Sequence, residues 1–354
     1  MPIAGSNPTL DTREGFDKIT VTEKVTSPYF SDGNTQLNAT NIISESLSDD
    51  NEVYYFGIAH SSTPTTPEFN VAYGNVDGNG GDDKNNSIIS PTKTVYKQWA
   101  SMLLSPTEVT GATNSANGRD DDIFILSGRR ALMKDRINKK NWTVALSGST
   151  SLRKADAPIG GASVLYLTDD STDDNPTATP VGDRYNIVAG TDGSVTTPAS
   201  TTTFGWFYPD IGTMVFSQAE LSASIGGVSG SEGDVVTFDS TTHYGFGPVA
   251  TAQDNNYKTA LRFINCLQPE GAYLKFRDEE DQVSNQFFCR IRAGQMNFSN
   301  NPTFVSGSLN ELRHTSMKGN PTTFIGQVQL FNSAGDIVAV GNLSTPLKKN
   351  FSSE

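Results

Sequence analysis

Two alternating runs, Thr323-Phe-Ile-Gly-Gln-Val-Gln-Leu-Phe331 and Asp336-Ile-Val-Ala-Val-Gly-Asn-Leu343, are separated by the four residues Asn332-Ser-Ala-Gly335. Apolar residues alternate with polar or small residues in each run, which is the period of a β-strand. Asn and Gly adopt the backbone conformations that a tight chain reversal requires. The stretch therefore predicts an antiparallel β-hairpin.

The composition of the whole chain favours the same kind of structure. Hydrophobic residues make up 35% of the 354 residues, and the chain contains 32 Gly and 17 Pro. Because Gly, Pro, Asn and Asp set the geometry of turns, this mixture favours short strands joined by loops over long helices. We expect a mainly β protein with a few short helices (α+β), with antiparallel, sandwich-like sheets and an extended N-terminal arm.

Further elements are predicted from local periodicity. The stretch 61–90 predicts a low-complexity loop, and the acidic run Asp278-Glu-Glu-Asp281 predicts a charged turn between two strands. The first predicted helix, 92–104, should bury Val95, Trp99, Met102 and Leu103 on one face. Strands are predicted at 20–26, 52–59, 123–126, 142–146, 163–167, 185–189, 203–208, 213–216, 273–277 and 283–292, and helices at 92–104, 127–137 and 257–267.

The chain divides by composition into three segments. Residues 1–50 are polar and poor in aromatic residues, which predicts an extended arm that a partner would order. Residues 51–250 predict a β-rich main domain with long loops, and residues 251–354 a C-terminal α+β domain that ends in the hairpin. No repeat of 20–50 residues is present, which argues against a solenoid or propeller.

The charge balance excludes several classes of partner. The formal net charge is −13 and the isoelectric point is near 4.7, so the surface repels nucleic-acid backbones and anionic lipid. No apolar stretch approaches the ~20 residues that span a bilayer, and the N-terminal residues lack the pattern of a signal peptide. We expect a protein that is made in a cytoplasm and binds neither nucleic acid nor membrane.

The residue types needed for catalysis do not form recognisable motifs. The histidines, His60, His243 and His314, lie in separate segments without a second ligand at zinc spacing. Neither a phosphate-binding glycine loop nor a Gly-x-Ser-x-Gly motif occurs. Glycoside hydrolysis would need two paired carboxylates, and the candidates are Glu220, Glu270 and Asp278–Asp281, but no pattern pairs two of them in a cleft. We expect no catalytic residues, no metal and no cofactor, and a protein that is not an enzyme.

Two acidic loops and two cysteines allow alternative interpretations. Asp77-Gly-Asn-Gly-Gly-Asp-Asp83 has part of the ligand pattern of a calcium loop, but Ile88 occupies the position of the bidentate Glu, which favours a solvated loop. The same interpretation applies to Asp169–Asp174. Cys266 and Cys289 are flanked by apolar residues, which favours buried free thiols, and a disulfide between them stays open.

Aromatic residues supply the candidates for an interface. The run Phe204-Gly-Trp-Phe-Tyr-Pro-Asp210 contains residue types that concentrate at binding hot spots. Core packing of a strand that ends in a Pro-Asp turn is the favoured alternative, and both interpretations stay open. The candidate interface residues are Trp206, Tyr208, Phe287, Phe288, Phe324 and Phe331.

The last third of the chain resembles a block found in virion proteins of T-even-like contractile-tailed phages, especially those of the cyanophage type. One part is Gln282-Val-Ser-Asn-Gln-Phe-Phe-Cys-Arg-Ile-Arg292, followed by Gln295-Met-Asn-Phe-Ser-Asn-Asn-Pro-Thr303. The other part is Asn320-Pro-Thr-Thr-Phe-Ile-Gly-Gln-Val-Gln-Leu-Phe-Asn332, followed by Ile337-Val-Ala-Val-Gly-Asn-Leu-Ser-Thr-Pro-Leu-Lys348. The chain departs from the family pattern at Gln329, where a Gly is expected, and at Gly341-Asn342, which replace Ala-Lys. Weaker similarities lie at 131–148, 185–190, 208–212 and 54–58 with Trp99.

The resemblance implies a late structural protein of the phage tail that is present in several copies and has no catalytic residues. We expect a baseplate or tail-associated subunit in the virion, synthesised in the bacterial cytoplasm. Its partners would be other tail, baseplate or neck proteins and further copies of itself. The alternatives are a neck, collar or fibre-attachment protein of the same virion and, less favoured, a glycan-binding or glycan-cleaving tail module.

Overall fold

The structure, a computed structural model, describes residues 18–30, 37, 41–46, 53–60, 62–63, 65–78, 91–104, 120–147, 164–173, 176–196, 202–225, 256–268, 271–297, 301–309 and 311–353. The chain forms two compact units. We call Glu23–Gln282 the main unit, and Met1–Thr22 with Val283–Glu354 the terminal unit. This division differs from the three segments expected from composition.

Eighteen strands and three α-helices are present in the described part of the chain. The helices are α1 (Pro91–Leu103), α2 (Gln218–Ser224) and α3 (Asn256–Asn265). The strands are β1 (Lys18–Tyr29), β2 (Ile42–Ser46), β3 (Val53–Ala59), β4 (Pro67–Asn75), β5 (Asp122–Gly128), β6 (Arg136–Ile137), β7 (Thr143–Ser147), β8 (Val164–Asp169), β9 (Thr177–Thr179), β10 (Gly182–Thr191), β11 (Ser194–Val195), β12 (Gly205–Tyr208), β13 (Thr213–Ser217), β14 (Tyr273–Phe287), β15 (Val305–Ser306), β16 (Glu311–Leu312), β17 (Thr323–Phe331) and β18 (Ile337–Lys349).

One large antiparallel sheet organises the main unit. Its strand order is β1-β14-β7-β8-β10-β12-β13-β5-β4-β3-β2, and β6, β9 and β11 pair with strands of this path. Phe276 of β14 packs on Phe69 of β4 with 4.6 Å between ring centroids, although six strands lie between them in the sheet. The sheet is therefore strongly curled. The prediction of a mainly β, antiparallel protein with few short helices is confirmed.

The concave face of the sheet packs around α3. Phe263 of this helix meets Phe124 of β5 and Phe216 of β13 at 5.6 and 5.1 Å between ring centroids. Leu261 and Ile264 of the same helix are buried in this cluster; the side chain of Tyr257 lies outside the described residues. Helix α3 thus belongs to the core of the main unit.

The opposite face of the sheet is covered by α1. Along β5, Phe124 and Leu126 point to the first cluster while Ile123 and Ile125 join a second cluster with α1. This alternation is the two-residue period of a strand, here with both faces buried. Helix α1 buries Tyr96 and Leu103 and partly buries Val95 and Trp99, whereas Met102, expected on the buried face, is exposed.

Three local predictions are wrong. The predicted loop 61–90 contains β4, a central strand whose Phe69, Val71 and Tyr73 are buried. The predicted helix 127–137 is instead the end of β5, a turn and β6, because distant residues take up its backbone groups, as in the hydrogen bonds from Arg129 N–H to Glu68 C=O (2.7 Å) and from Ile137 N–H to Pro209 C=O (3.1 Å). The predicted charged turn at 278–281 lies within the single strand β14, whose buried Asp278 and Glu279 pair with β6.

Part of the stretch that predicts an N-terminal arm contributes strands to the sheet. β1 and β2 are the two end strands of the path, and Tyr29, Phe30 and Leu37 are buried in the first cluster. Residues 1–17 of the predicted arm lie outside the described residues.

Candidate assembly surface

The six candidate interface residues fall into two groups. Trp206 and Tyr208 are only 7% and 1% exposed and lie in the cluster between the sheet and α1. The guanidinium of Arg184 covers the Trp206 ring at 3.6 Å from its centroid. These two residues are therefore core residues and not interface anchors, which is the alternative that the sequence left open.

The four phenylalanines lie on the surface of the terminal unit. Phe287 and Phe288 are 43% and 52% exposed at the end of β14, and Phe324 and Phe331 are 65% and 56% exposed near the two ends of β17. Exposed aromatic side chains of this size can anchor a protein–protein interface. The structure leaves these four available for such a contact.

The terminal unit exposes most of its large apolar side chains. Among its described residues only Pro321 and Lys349 are buried. Of the 17 exposed large apolar residues in the described part of the chain, 14 belong to this unit. They are Ile19, Val283, Phe287, Phe288, Met296, Leu309, Phe324, Val328, Phe331, Ile337, Val338, Val340, Leu347 and Phe351.

The longest element of the terminal unit is the two-stranded sheet formed by β17 and β18, which we call the ribbon. Its turn is fixed by Asn332, whose Oδ1 accepts hydrogen bonds from the N–H groups of Ala334 (3.0 Å) and Asp336 (2.8 Å), and by Gly335 with a φ of +89°. The predicted hairpin is thereby confirmed. An isolated two-stranded sheet is only marginally stable in water, so the ribbon needs support from other surfaces.

Apolar side chains occupy both faces of the ribbon. Phe324 and Val328 share one face of β17, and Phe331, with Ile337 opposite to it, lies on the other face. On this second face, Gln327 donates from Nε2 to Asn342 Oδ1 across the strands (2.8 Å). A soluble sheet usually hides one face. The ribbon hides neither, which is the pattern of a surface that other protein covers.

One buried cation ties the ribbon to the preceding loop. Lys349, 2% exposed at the end of β18, donates from Nζ to Ala293 O (3.0 Å) and Asn297 Oδ1 (2.7 Å). Asn297 also borders a shallow apolar pocket of about 490 Å³. The other residues that line this pocket are Phe304, Leu312, Met317, Lys318, Gly319, Pro321 and Phe351.

Charge is distributed unevenly between the two units. The terminal unit contains eight Lys or Arg and six Asp or Glu, a formal charge of +2. The other 18 Lys or Arg and 33 Asp or Glu lie in the main unit, whose formal charge is −15. The segments 319–335 and 337–347 of the ribbon contain no charged residue.

The carboxylates of the acidic run 278–281 have structural partners. Asp278 accepts hydrogen bonds from Ser27 Oγ (2.5 Å) and Lys134 N–H (3.2 Å), and Glu279 is held by Arg136. Glu220 lies in the first turn of α2, and Glu270 lies outside the described residues. These contacts make the acidic run a framework of ion pairs.

A polar cleft of about 260 Å³ lies next to this framework in the main unit. Lys139 donates there from Nζ to Tyr185 OH (2.8 Å), and Arg136 is engaged by two carboxylates. The full lining is Lys24, Arg136, Lys139, Asp183, Tyr185, Pro209 and Asp210. The cleft is therefore lined by charged groups of both signs.

The remaining candidate groups are dispersed. Cys266 and Cys289 are both free thiols; Cys266 is buried, whereas Cys289 is exposed, contrary to the expectation for it. His60 bonds Ser62 (2.6 Å), and His314 precedes a single helical turn. The calcium-like loop beyond Gly78 and His243 lie outside the described residues.

Within the described ranges, no group of three or more His, Cys, Asp or Glu side chains could hold a metal ion, and no helix is long and apolar enough to cross a membrane. The exposed apolar surface of the terminal unit is therefore the feature that most needs a functional explanation. Comparison with known proteins adds no relative, since no protein-family model, no curated protein and no solved structure matches this chain.

Proposed function

We propose that this protein is a structural subunit of a contractile phage tail, placed in the baseplate or associated with the tail. It acts through protein–protein contacts and not through catalysis. The acidic main unit is a folded body, and the terminal unit is the part that binds neighbours. The partners are other tail, baseplate or neck proteins and further copies of the chain, in the virion.

The observation that carries the assembly role is the surface of the terminal unit. Its described residues bury Pro321 and Lys349 only, while Phe324, Phe331 and Leu347 are more than half exposed. Exposed apolar surface of this extent is costly in water and marks an interaction site in a soluble protein. Covering it by other chains supplies the stabilisation that an internal core supplies elsewhere.

The assignment to a phage tail rests on the sequence block that resembles virion proteins. That block runs from Gln282 to Lys348 and so coincides with the described C-terminal part of the terminal unit. The resemblance and the exposed apolar surface therefore concern the same residues. A conserved way of joining neighbouring subunits would explain both.

The test is incorporation into particles. Particles produced with the variant Phe324→Ser/Phe331→Ser/Leu347→Ser should contain at least about tenfold less of this protein by quantitative mass spectrometry, because three half-exposed anchors are lost. The matched control is Tyr55→Ser/Met102→Ser/Leu132→Ser, which removes the three exposed large apolar residues among the described residues of the main unit. The control should be incorporated normally.

Cryo-electron microscopy of the native particle gives the position. Density for this chain in the baseplate or along the tail, with the ribbon covered by neighbours, supports the proposal. Density at the neck, collar or fibre attachment supports the alternative location with the same assembly role. Intact, infectious particles without this chain would refute the proposal.

A further inference from the structure

The β17 edge of the ribbon lacks the protection that edge strands usually have. In the described residues, β17 pairs with β18 alone, so its other edge presents unpaired backbone N–H and C=O groups. Natural edge strands discourage further pairing with charged side chains, proline or bulges. β17 runs for nine residues, from Thr323 to Phe331, without a charged residue or a proline.

The β18 edge is protected by comparison. Pro346 cannot donate a backbone hydrogen bond, and Lys348 and Lys349 end the strand. Its pairing with β17 is also irregular, since Gln327 pairs with Asn342 whereas Ile325, two residues earlier, pairs with Leu347. Strand addition to the ribbon should therefore occur at β17.

Pairing along the β17 edge leaves the apolar faces of the ribbon uncovered. Seven large apolar side chains of β17 and β18 are on average slightly more than half exposed. They lie on both faces and on both strands, so a contact along the β17 edge consists mainly of backbone hydrogen bonds and of side-chain pairs directly across the new strand pair.

The charge distribution makes the ribbon the better contact between two copies of the chain. Two main units, each with a formal charge of −15, repel one another, so a direct contact between them is disfavoured. Two β17 edges bring no like charges together because 319–335 contains no charge. A strand is also self-complementary when it pairs antiparallel with its own copy about a two-fold axis.

We propose that β17 of one copy pairs antiparallel with β17 of a second copy, which gives a four-stranded sheet in the order β18-β17-β17-β18. The inference rests on the proposed role as an assembly subunit and names the partner of one edge. The faces of the merged sheet stay available for other proteins of the particle.

The central residue of β17 is Gln327. A two-fold axis close to Gln327 determines which residue of the second copy lies opposite each residue of the first. Phe324 then faces Leu330 of the second copy, and Ile325 faces Gln329. Directly opposite residues in an antiparallel pair have Cα atoms about 5 Å apart. The two copies of Asn342, one strand further out on each side, lie about three strand spacings apart, or roughly 14 Å.

The first experiment compares Gln327→Lys with Asn342→Lys. Both residues are exposed cross-strand neighbours on one face, so both variants add the same charge to the same ribbon. Sedimentation equilibrium of the full chain should show a dimer whose dissociation constant rises at least about tenfold in Gln327→Lys, because like charges lie directly opposite. For Asn342→Lys the rise should stay below about threefold, since that separation exceeds a Debye length.

The second experiment locates the axis by disulfide cross-linking in a Cys289→Ser background. One of the variants Ile325→Cys, Gln327→Cys and Gln329→Cys should form a covalent dimer under mild oxidation, because a disulfide requires Cα atoms within about 7 Å. Asn342→Cys should not. Circular dichroism checks that each variant keeps its fold.

Three results would overturn the inference: a monomeric wild-type chain, association that Gln327→Lys leaves unchanged, or cross-linking through Asn342→Cys alone. None of them bears on incorporation into particles. Failure of the inference is thereby distinguishable from failure of the proposed function.

Discussion

Arg136 donates from Nε to the carboxylate of Glu279, a residue 143 positions further along the chain that is 3% exposed. The same guanidinium donates from Nη2 to Asp281 (2.6 Å). Asn138 and Lys24 complete the surroundings of the Glu279 carboxylate. An acidic run that has the composition of a turn is in this way held as a strand between β1 and β6.

Replacing Arg136 should destabilise the main unit. Arg136→Met leaves the buried carboxylate of Glu279 without its principal counter-ion, and we expect a loss of about 3 kcal/mol in the free energy of unfolding, measured by urea denaturation. Arg130→Met, which removes an exposed arginine that donates to backbone carbonyls, should cost less than about 0.5 kcal/mol. Adding Glu279→Gln to Arg136→Met should restore part of the loss; no recovery would contradict the explanation by a buried unpaired charge.

Acid should weaken the same region. A hydrogen bond from Gln282 and another from Lys134 lower the pKa of Glu280 from its ordinary value of 4.5, and a hydrogen bond from Arg136 lowers the pKa of Asp281 from 3.8. Both carboxyl groups release their protons more readily in the folded state, so their stabilisation is present above the ordinary pKa values. It is lost as the pH falls from about 4.5 through the lower folded-state values.

The measurement is the urea midpoint between pH 6 and pH 3. Below pH 4.5 the urea midpoint should decline less steeply with falling pH in Asp281→Asn than in the wild type. The variant has no carboxyl group at this position that could become protonated. An identical slope in this variant would show that Asp281 does not contribute to the acid sensitivity.

Trp206 and Phe324 should separate stability from assembly. Trp206→Ala removes a buried ring from the cluster beneath α1 and should cost about 3–5 kcal/mol of unfolding free energy. Phe324→Ser should leave the unfolding of the main unit within about 0.5 kcal/mol of wild type, because the ring is exposed on the ribbon. A Trp206→Ala variant that keeps its stability but fails to assemble would contradict the core role of Trp206 and support its role as an interface anchor.

Two adjacent lysines provide a test of the terminal unit. Lys349→Met removes two hydrogen bonds made by a buried ammonium group. It should therefore lower the free energy of local opening of this region by about 2 kcal/mol. Hydrogen exchange should accelerate by at least about tenfold at 293–297 and along the end of β18. Lys348→Met, at the exposed neighbour, should leave these exchange rates unchanged. Equal effects of the two variants would contradict a specific role for Lys349.

Local periodicity predicts those parts of the fold whose determinants are close in sequence. The hairpin depends on Asn332, Gly335 and two alternating runs, all within about 25 residues, and it is present as predicted. Strand β4 carries the same kind of alternation in Phe69, Val71 and Tyr73. Its low-complexity surroundings obscured that signal, which a strict count of alternating residues would have found.

Other features depend on partners far away in the chain. The stretch 127–137 has helical spacing, but the distant carbonyl groups of Glu68 and Pro209 accept hydrogen bonds from its backbone N–H groups. Likewise, the acidic run lies in a strand because distant cations such as Arg136 and Lys134 pair with its carboxylates. For the interface candidates, the aromatic type alone could not separate buried Trp206 from exposed Phe324, because burial depends on whether a helix such as α1 covers the strand.

The absence of a core in the described terminal unit has a consequence for how an unassembled copy is treated in the cell. In the assembly role that we propose, a free copy would present the apolar ribbon to proteases and chaperones, whereas an incorporated copy would hide it beneath its neighbours. Cleavage would therefore fall on surplus subunits and spare those already built into a particle. The side chains that we propose as contacts would in this way also regulate how many copies persist.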